Sequence, residues 1–158
     1  MIKILFICHG NICRSPMAQF VFQSLACQAG LEDQIFVDSA ATSTEEIGNP
    51  VHRGTRRILQ EKGIPMKDHR AVQLTRSDGK RYDYLVGMDS WNMRNMARIL
   101  GENSRGEQLR LLDLTEEARD VADPWYTGDF EKTYQDIDAG CRALLDKICR
   151  DHRLYIKS

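Results

Sequence analysis

The chain alternates short apolar, β-branched runs with longer stretches in which apolar residues recur every three or four positions. Ile2-Lys3-Ile4-Leu5-Phe6-Ile7 reads as a buried strand over 2–8, and further strands are predicted at 35–40, 83–88 and 109–112. Helical periodicity fills the intervals at 16–29, 51–62, 90–100 and 129–152. In the first helix Met17, Phe20, Val21 and Leu25 share a face. In the last, Phe130, Tyr134, Ile137, Cys141, Leu144 and Ile148 form one stripe to pack on a sheet. Gly30, Gly63 and Gly101 each follow a helix, where a left-handed cap residue is wanted. Strands separated by helices predict an α/β fold: a mostly parallel sheet, right-handed crossovers and helices on both faces. Ligands of such sheets bind beyond the carboxyl ends of the strands.

Composition narrows the class. A length of 158 residues fits one domain spanning 1–158. With 22 basic and 23 acidic side chains the net charge is −1, so no broad positive field favours nucleic acid. No apolar stretch approaches the roughly 20 residues of a membrane span, and the N-terminus does not read as a secretion signal. Five cysteines form no disulfide framework, which points to a reducing cytoplasm. Cys141 and Cys149, eight apart on one helix, stand roughly 12 Å from each other, too far for a disulfide.

The chemistry concentrates where the first strand meets the first helix. Cys8-His9-Gly10-Asn11-Ile12-Cys13-Arg14-Ser15, closed by Pro16, sets a cysteine and an arginine around a Gly-Asn turn. Backbone N–H groups of such a loop point inward, with the positive end of the helix behind them, so the segment is a cradle for a doubly charged oxyanion. Arg14 adds a planar fork that matches two phosphate oxygens. The same field favours the thiolate of Cys8. A thiolate beside a bound phosphate is a site for phosphoryl transfer, and the departing oxygen then needs a proton. The candidate acid is Asp123, in Val121-Ala122-Asp123-Pro124-Trp125-Tyr126, where Pro124 restricts it to extended geometry. An Asp-Pro pair by itself also starts turns.

These segments resemble the low-molecular-weight protein tyrosine phosphatases. The resemblance rests on the loop from Cys8 to Pro16, Asp38-Ser39-Ala40, Asp68-His69-Arg70-Ala71, Met88-Asp89 with Asn92, Asp123-Pro124 and Asp129-Phe130-Glu131. It implies a four-stranded parallel sheet with flavodoxin-like winding and a hydrolysis, without metal or other cofactor, through a cysteinyl-phosphate. The expected substrate is a tyrosine-phosphorylated protein, and the expected assembly a monomer or weak dimer. Cys8 becomes the nucleophile, Arg14 the phosphate clamp and Asp123 the general acid, within a phosphate-binding loop of His9, Gly10, Asn11, Ile12, Cys13 and Ser15. Ser15 is expected to hydrogen-bond the sulfur. Asn11 is expected to hold the loop in a strained conformation, tied to Ser39 and His69. Taken without the resemblance, His69 reads as a surface histidine. Cys13 reads either as a reversible disulfide partner of Cys8 or as a small buried side chain.

Departures from the family pattern lie at the mouth. His9 follows the nucleophile where an aliphatic or small residue is common, and reads either as a solvent-facing ring or as a titrating rim. Glu45 and Glu46 stand where the family usually presents an aromatic, and Trp125-Tyr126 replace two tyrosines. Three other activities compete. Arsenate reduction requires a relay of further cysteines, and none occurs between residues 28 and 140. Phosphoarginine hydrolysis goes with Thr at the position of Ile12. A non-catalytic phosphoprotein-binding module needs neither thiolate nor acid.

Overall fold

The structure, a computed structural model, describes residues 1–156. Four strands, β1 (Ile2–Cys8), β2 (Ile35–Ala41), β3 (Tyr84–Gly87) and β4 (Glu107–Arg110), form one sheet in the order β2-β1-β3-β4. Every pairing is parallel, as predicted, with Cys8 beside Ala41 and Ile7 beside Gly87 at the carboxyl edge. The helices are α1 (Arg14–Gln28), α2 (Arg53–Glu61), α3 (Asp78–Arg81), α4 (Ser90–Leu100), α5 (Pro124–Thr127) and α6 (Phe130–His152).

The period-two alternation of β1 splits the core into two layers. Ile4, Phe6 and Cys8 point into the larger layer, with Met17 and Phe20 of α1 and Ile137, Cys141, Leu144 and Ile148 of α6. Leu5 and Ile7 point the other way, against Met96 and Leu100 of α4. A strand buried on both faces must be apolar at consecutive positions. β1 meets that requirement from Ile4 to Cys8.

Boundaries moved where a polar or apolar run serves two purposes. The first helix begins at Arg14 rather than 16, so Arg14 and Ser15 lie in its first turn. The second is Arg53–Glu61 rather than 51–62, with the His52 ring accepting from Gly54 N–H as its cap. Asp129 caps the last helix instead of belonging to it. The fourth strand runs 107–110, not 109–112, because the chain leaves the sheet in a tight 3-10 turn at Leu111–Leu114. Leu111 is buried there against Gly140, where an added Cβ would overlap the leucine side chain. The three cap glycines have positive φ as expected, although ψ at Gly101 is −166°, which is extended rather than left-handed helical. Short helices α3 and α5 have too few residues to show periodicity and were not predicted.

Among the described residues no helix is long and apolar enough to cross a membrane. Leu144 sits at the centre of the α6 stripe with no solvent exposure. Leu144→Ala is expected to lower unfolding free energy by about 2–5 kcal/mol, measured by urea denaturation; a cost below about 1 kcal/mol would show that α6 is not packed as described.

Candidate active site

The geometry begins with one residue in a backbone conformation that L-amino acids rarely adopt. Asn11 has φ of 59° and is completely buried. Its left-handed turn reverses the chain between β1 and α1, and such geometry persists only when neighbouring groups hold it. The Asn11 Oδ1 accepts from the Val72 N–H at 3.1 Å and from His69 Nε2 at 2.9 Å, and its Nδ2 donates to Ser15 Oγ at 2.7 Å. His69 must therefore carry its proton on Nε2. Burial favours its neutral form and lowers its pKa, against the raising effect of Asp38 and Asp68. Ser39 donates to Gln19 Oε1 at 2.5 Å and lies 3.3 Å from His69 Nε2. The expected tie between Ser39 and Asn11 thus runs through the imidazole, and the plain surface reading of His69 is corrected, since its side chain is 10% exposed.

The turn brings three donors onto one sulfur. Cys8 Sγ lies 3.3 Å from the Asn11 N–H nitrogen, 3.4 Å from that of Ser15, and 3.0 Å from Ser15 Oγ. Because Ser15 Oγ accepts from Asn11, its own proton is free to point at the sulfur. Three convergent donors at the start of a helix are a receptor for negative charge. Cys13 shows the opposite environment: its thiol is pushed up to about 12, by burial first and then by the charge at Cys8. Cys13 is 6% exposed and both cysteines are free thiols, an arrangement common to both sequence readings.

Arg14 closes the cradle from beneath. It is 2% exposed, and its Nη1 donates to Asp89 Oδ2 at 2.8 Å and to the Val121 carbonyl at 3.1 Å. Its Nη2 lies 3.4 Å from Asp123 Oδ2. Burial alone would favour the neutral guanidine, but the negative charges at Cys8, Asp123 and Asp89 outweigh it and raise the pKa. Asp123 caps α5, its Oδ1 accepting from Trp125 N–H at 3.0 Å, so the Asp-Pro turn and the carboxyl near the arginine are one feature.

At the loop is a cavity of about 210 Å³, lined by Cys8 together with Glu45, Glu46, Asp123, Trp125 and Tyr126. His9, Gly10, Ile12, Cys13 and Arg14 line its floor and lower rim. His9 Nε2 meets Glu45 Oε2 at 3.1 Å across the rim, and Glu46 accepts from Asn49 Nδ2 at 2.6 Å. Trp125 is packed edge-on against the His52 ring, while Tyr126 is 85% exposed. All predicted site residues therefore gather at the carboxyl edge of the sheet, with Asn11, Ser15, Ser39 and His69 buried or half-buried behind the opening and the others lining it. Among the described residues no group of three or more His, Cys, Asp or Glu side chains is placed to hold a metal ion.

Asp89 escaped sequence reasoning as the main partner of Arg14. The signal was present: Asp89-Ser90-Trp91-Asn92 is a capping box, Asp89 accepting from Asn92 N–H at 2.6 Å while Asn92 Oδ1 accepts from Asp89 N–H at 3.1 Å. One carboxylate oxygen starts α4, leaving the other to face the arginine.

Residues 3–154 match the model of the family described as low molecular weight phosphotyrosine protein phosphatase. The low molecular weight protein-tyrosine-phosphatase YfkJ of Bacillus subtilis is 42% identical over 156 residues, covering 98% of this chain and 100% of that protein. Its crystal structure superposes with a TM-score of 0.91, covering 96% of each chain. The low molecular weight protein tyrosine phosphatase SP-PTP of Streptococcus pyogenes gives 0.85 at 38% identity, covering 98% of this chain and 97% of that one. DARP, a Drosophila arginine phosphatase, gives 0.84 at 25% identity, covering 93% of this chain and 98% of its own. The match of residues 3–154 to the family model, with relatives of the same fold covering nearly the whole chain, places the chain in the low molecular weight phosphotyrosine protein phosphatase family.

Proposed function

We propose that residues 1–158 act as one domain that hydrolyses phosphotyrosine on proteins through a covalent phosphoenzyme, with no metal. The observation that carries this reading is the convergence of three donors on Cys8 Sγ beside the buried Arg14. The thiolate attacks phosphorus, an S–P bond forms and the P–O bond to the tyrosyl ring breaks. Asp123 gives its proton to the leaving phenolate. In the second step Asp123 takes a proton from water, the oxygen attacks phosphorus, and the S–P bond breaks to return thiolate and inorganic phosphate. Arg14 holds two equatorial oxygens throughout. His9, Gly10, Asn11, Ile12, Cys13 and Ser15 shape the loop, and the Ser15 hydroxyl stabilises the sulfur as it leaves. Ser39 and His69 hold Asn11 in place.

The rim sets the substrate. Trp125 and Tyr126 offer aromatic surface to a phenyl ring, while Glu45 and Glu46 face the flanks of a bound peptide. Five free thiols fit a reducing, cytoplasmic setting, in which the protein acts as a monomer or weak dimer. The likeness to DARP raises phosphoarginine as a second substrate. Ile12, an aliphatic side chain on the cavity floor, favours the phenyl ring instead. A panel of phosphotyrosine, phosphoserine and phosphoarginine peptides separates these: phosphotyrosine is expected to be preferred, and a preference for phosphoarginine overturns the assignment.

Hydrolysis of p-nitrophenyl phosphate is expected to proceed in the presence of chelator and to be abolished in Cys8→Ser, as followed by nitrophenol release. Full activity in that variant would end the covalent mechanism. Asp123→Ala should slow phenyl phosphate by about 10²–10⁴-fold in kcat/KM while an ester with an activated leaving group loses far less.

The buried His69 generates a pH prediction. Its folded pKa lies below the ordinary value of about 6.5. Its contribution is thus fully present above the unfolded value and is lost as pH falls through the folded one. In urea unfolding, wild type should lose more stability between pH 7.5 and 5 than His69→Ala does. At neutral pH that variant should be weaker by about 1–3 kcal/mol. Equal pH slopes would mean that the imidazole is not held neutral.

A further inference from the structure

The segment that carries Asp123 is irregular from Thr115 to Ala122, yet it is anchored at nearly every residue near the acid. Val121 N–H donates to the Met88 carbonyl at 2.9 Å, and Asp120 Oδ1 accepts from Ser90 N–H at 2.8 Å. Those bonds tie the segment to the start of α4. A second set reaches the other way, to α6. Arg119 makes a two-pronged contact with Asp136, Nη1 to Oδ2 at 3.0 Å and Nη2 to Oδ1 at 2.8 Å. Thr133, one turn earlier on α6 and completely buried, donates to the Ala122 carbonyl at 2.9 Å. Ala122 is the residue immediately before the acid.

Asp136 is 4% exposed, an unusual place for a carboxylate. Burial raises its pKa, but hydrogen bonds from Arg119 and Lys132 more than offset this and the net shift is downward, so it stays ionised. A planar guanidinium held by both oxygens of a buried carboxylate fixes direction as well as distance. Its Nη1 also donates to the Asp120 carbonyl at 3.0 Å, so the same guanidinium braces the backbone three residues before Asp123.

We infer that Arg119 and Asp136, with Thr133, are positioning residues for the general acid, fixing segment 119–123 on α6 so that the Asp123 carboxyl faces the leaving oxygen. This inference rests on the reading of Asp123 as the acid. α6 thereby has two duties: its apolar stripe closes the core, while Thr133 and Asp136 aim a carboxyl on the far side of a loop. Loosening the contact leaves Cys8 and the Arg14–Asp89 pair in place and degrades chiefly proton delivery. The loss then grows with the basicity of the leaving group.

The test compares kcat/KM for phenyl phosphate and for a dinitrophenyl ester in four proteins: wild type, Asp123→Ala, Arg119→Gln and Arg119→Lys. Arg119 is partly exposed, and Lys132 remains 3.2 Å from Asp136 when it is replaced, which preserves a partner for the buried charge. Arg119→Gln is expected to lose about ten- to a hundredfold on phenyl phosphate and about twofold or less on the activated ester. Lysine keeps the charge but not the fork, so Arg119→Lys should fall between. Glu117→Gln, which removes only the exposed partner of the same guanidinium, should behave as wild type. Affinity for inorganic phosphate, read by competitive inhibition, should stay unchanged in all Arg119 variants. If Asp123→Ala shows the steep leaving-group dependence and Arg119→Gln does not, the positioning role is overturned while the acid assignment stands. If Asp123→Ala itself shows none, the acid assignment fails and the positioning role fails with it. An equal loss by Arg119→Gln on both esters marks a merely structural pair and also overturns the inference.

Discussion

A single left-handed residue sets the terms for the rest of the site. Without the positive φ at Asn11 the chain cannot turn tightly enough to aim two N–H groups and a hydroxyl back at the sulfur on which β1 ends. That conformation is costly for an asparagine, on the order of 1–3 kcal/mol for a strained backbone. It is offset by bonds to His69 and Val72, from one distant loop, and to Ser15 at the start of α1. The sheet supplies the rigidity behind them. β1 is buried on both faces, so its carboxyl end is held from α1 and α6 on one side and α4 on the other.

The second constraint is charge. Arg14 is buried with Asp89 and Asp123 on one side and the Cys8 sulfur on the other, and neither carboxylate is there for the arginine alone. Asp89 starts α4 and Asp123 starts α5. Two helix caps thereby become the polar frame of an anion site, and a guanidinium that would be destabilising if left unpaired is satisfied before any substrate arrives. The rim follows another rule. Glu45 and Tyr126 are exposed and the His9 side chain is half-exposed, so polar groups there are solvated and vary at little cost to the fold. Departures from the family pattern fall here.

Much of this was legible in the residues alone. Strand and helix order, the parallel sheet and the cradle between β1 and α1 follow from apolar periodicity and from the spacing of Cys8 and Arg14. What was missed has physical causes. Leu109 to Leu112 have the composition of a strand, but Leu111 is needed beneath α6, a demand that only tertiary packing imposes. His69 looks like any surface histidine because its partners, Asn11 and Ser39, are 58 and 30 residues away. The role of Asp89 lay behind a capping box, a local motif whose second oxygen has a distant use. Arg119 and Asp136 carry no local signature at all, since a loop arginine and a helical aspartate read as solvated surface until the fold buries one of them.

Covalent chemistry at one sulfur is the central claim for this site, and trapping the intermediate tests it most directly. Rapid acid-free quenching of the enzyme during turnover of a radiolabelled aryl phosphate, followed by peptide mapping, should place one phosphoryl group on Cys8, formed in a burst of aryl alcohol equal to the enzyme concentration. Absence of both burst and label, or label on any other side chain, would contradict it.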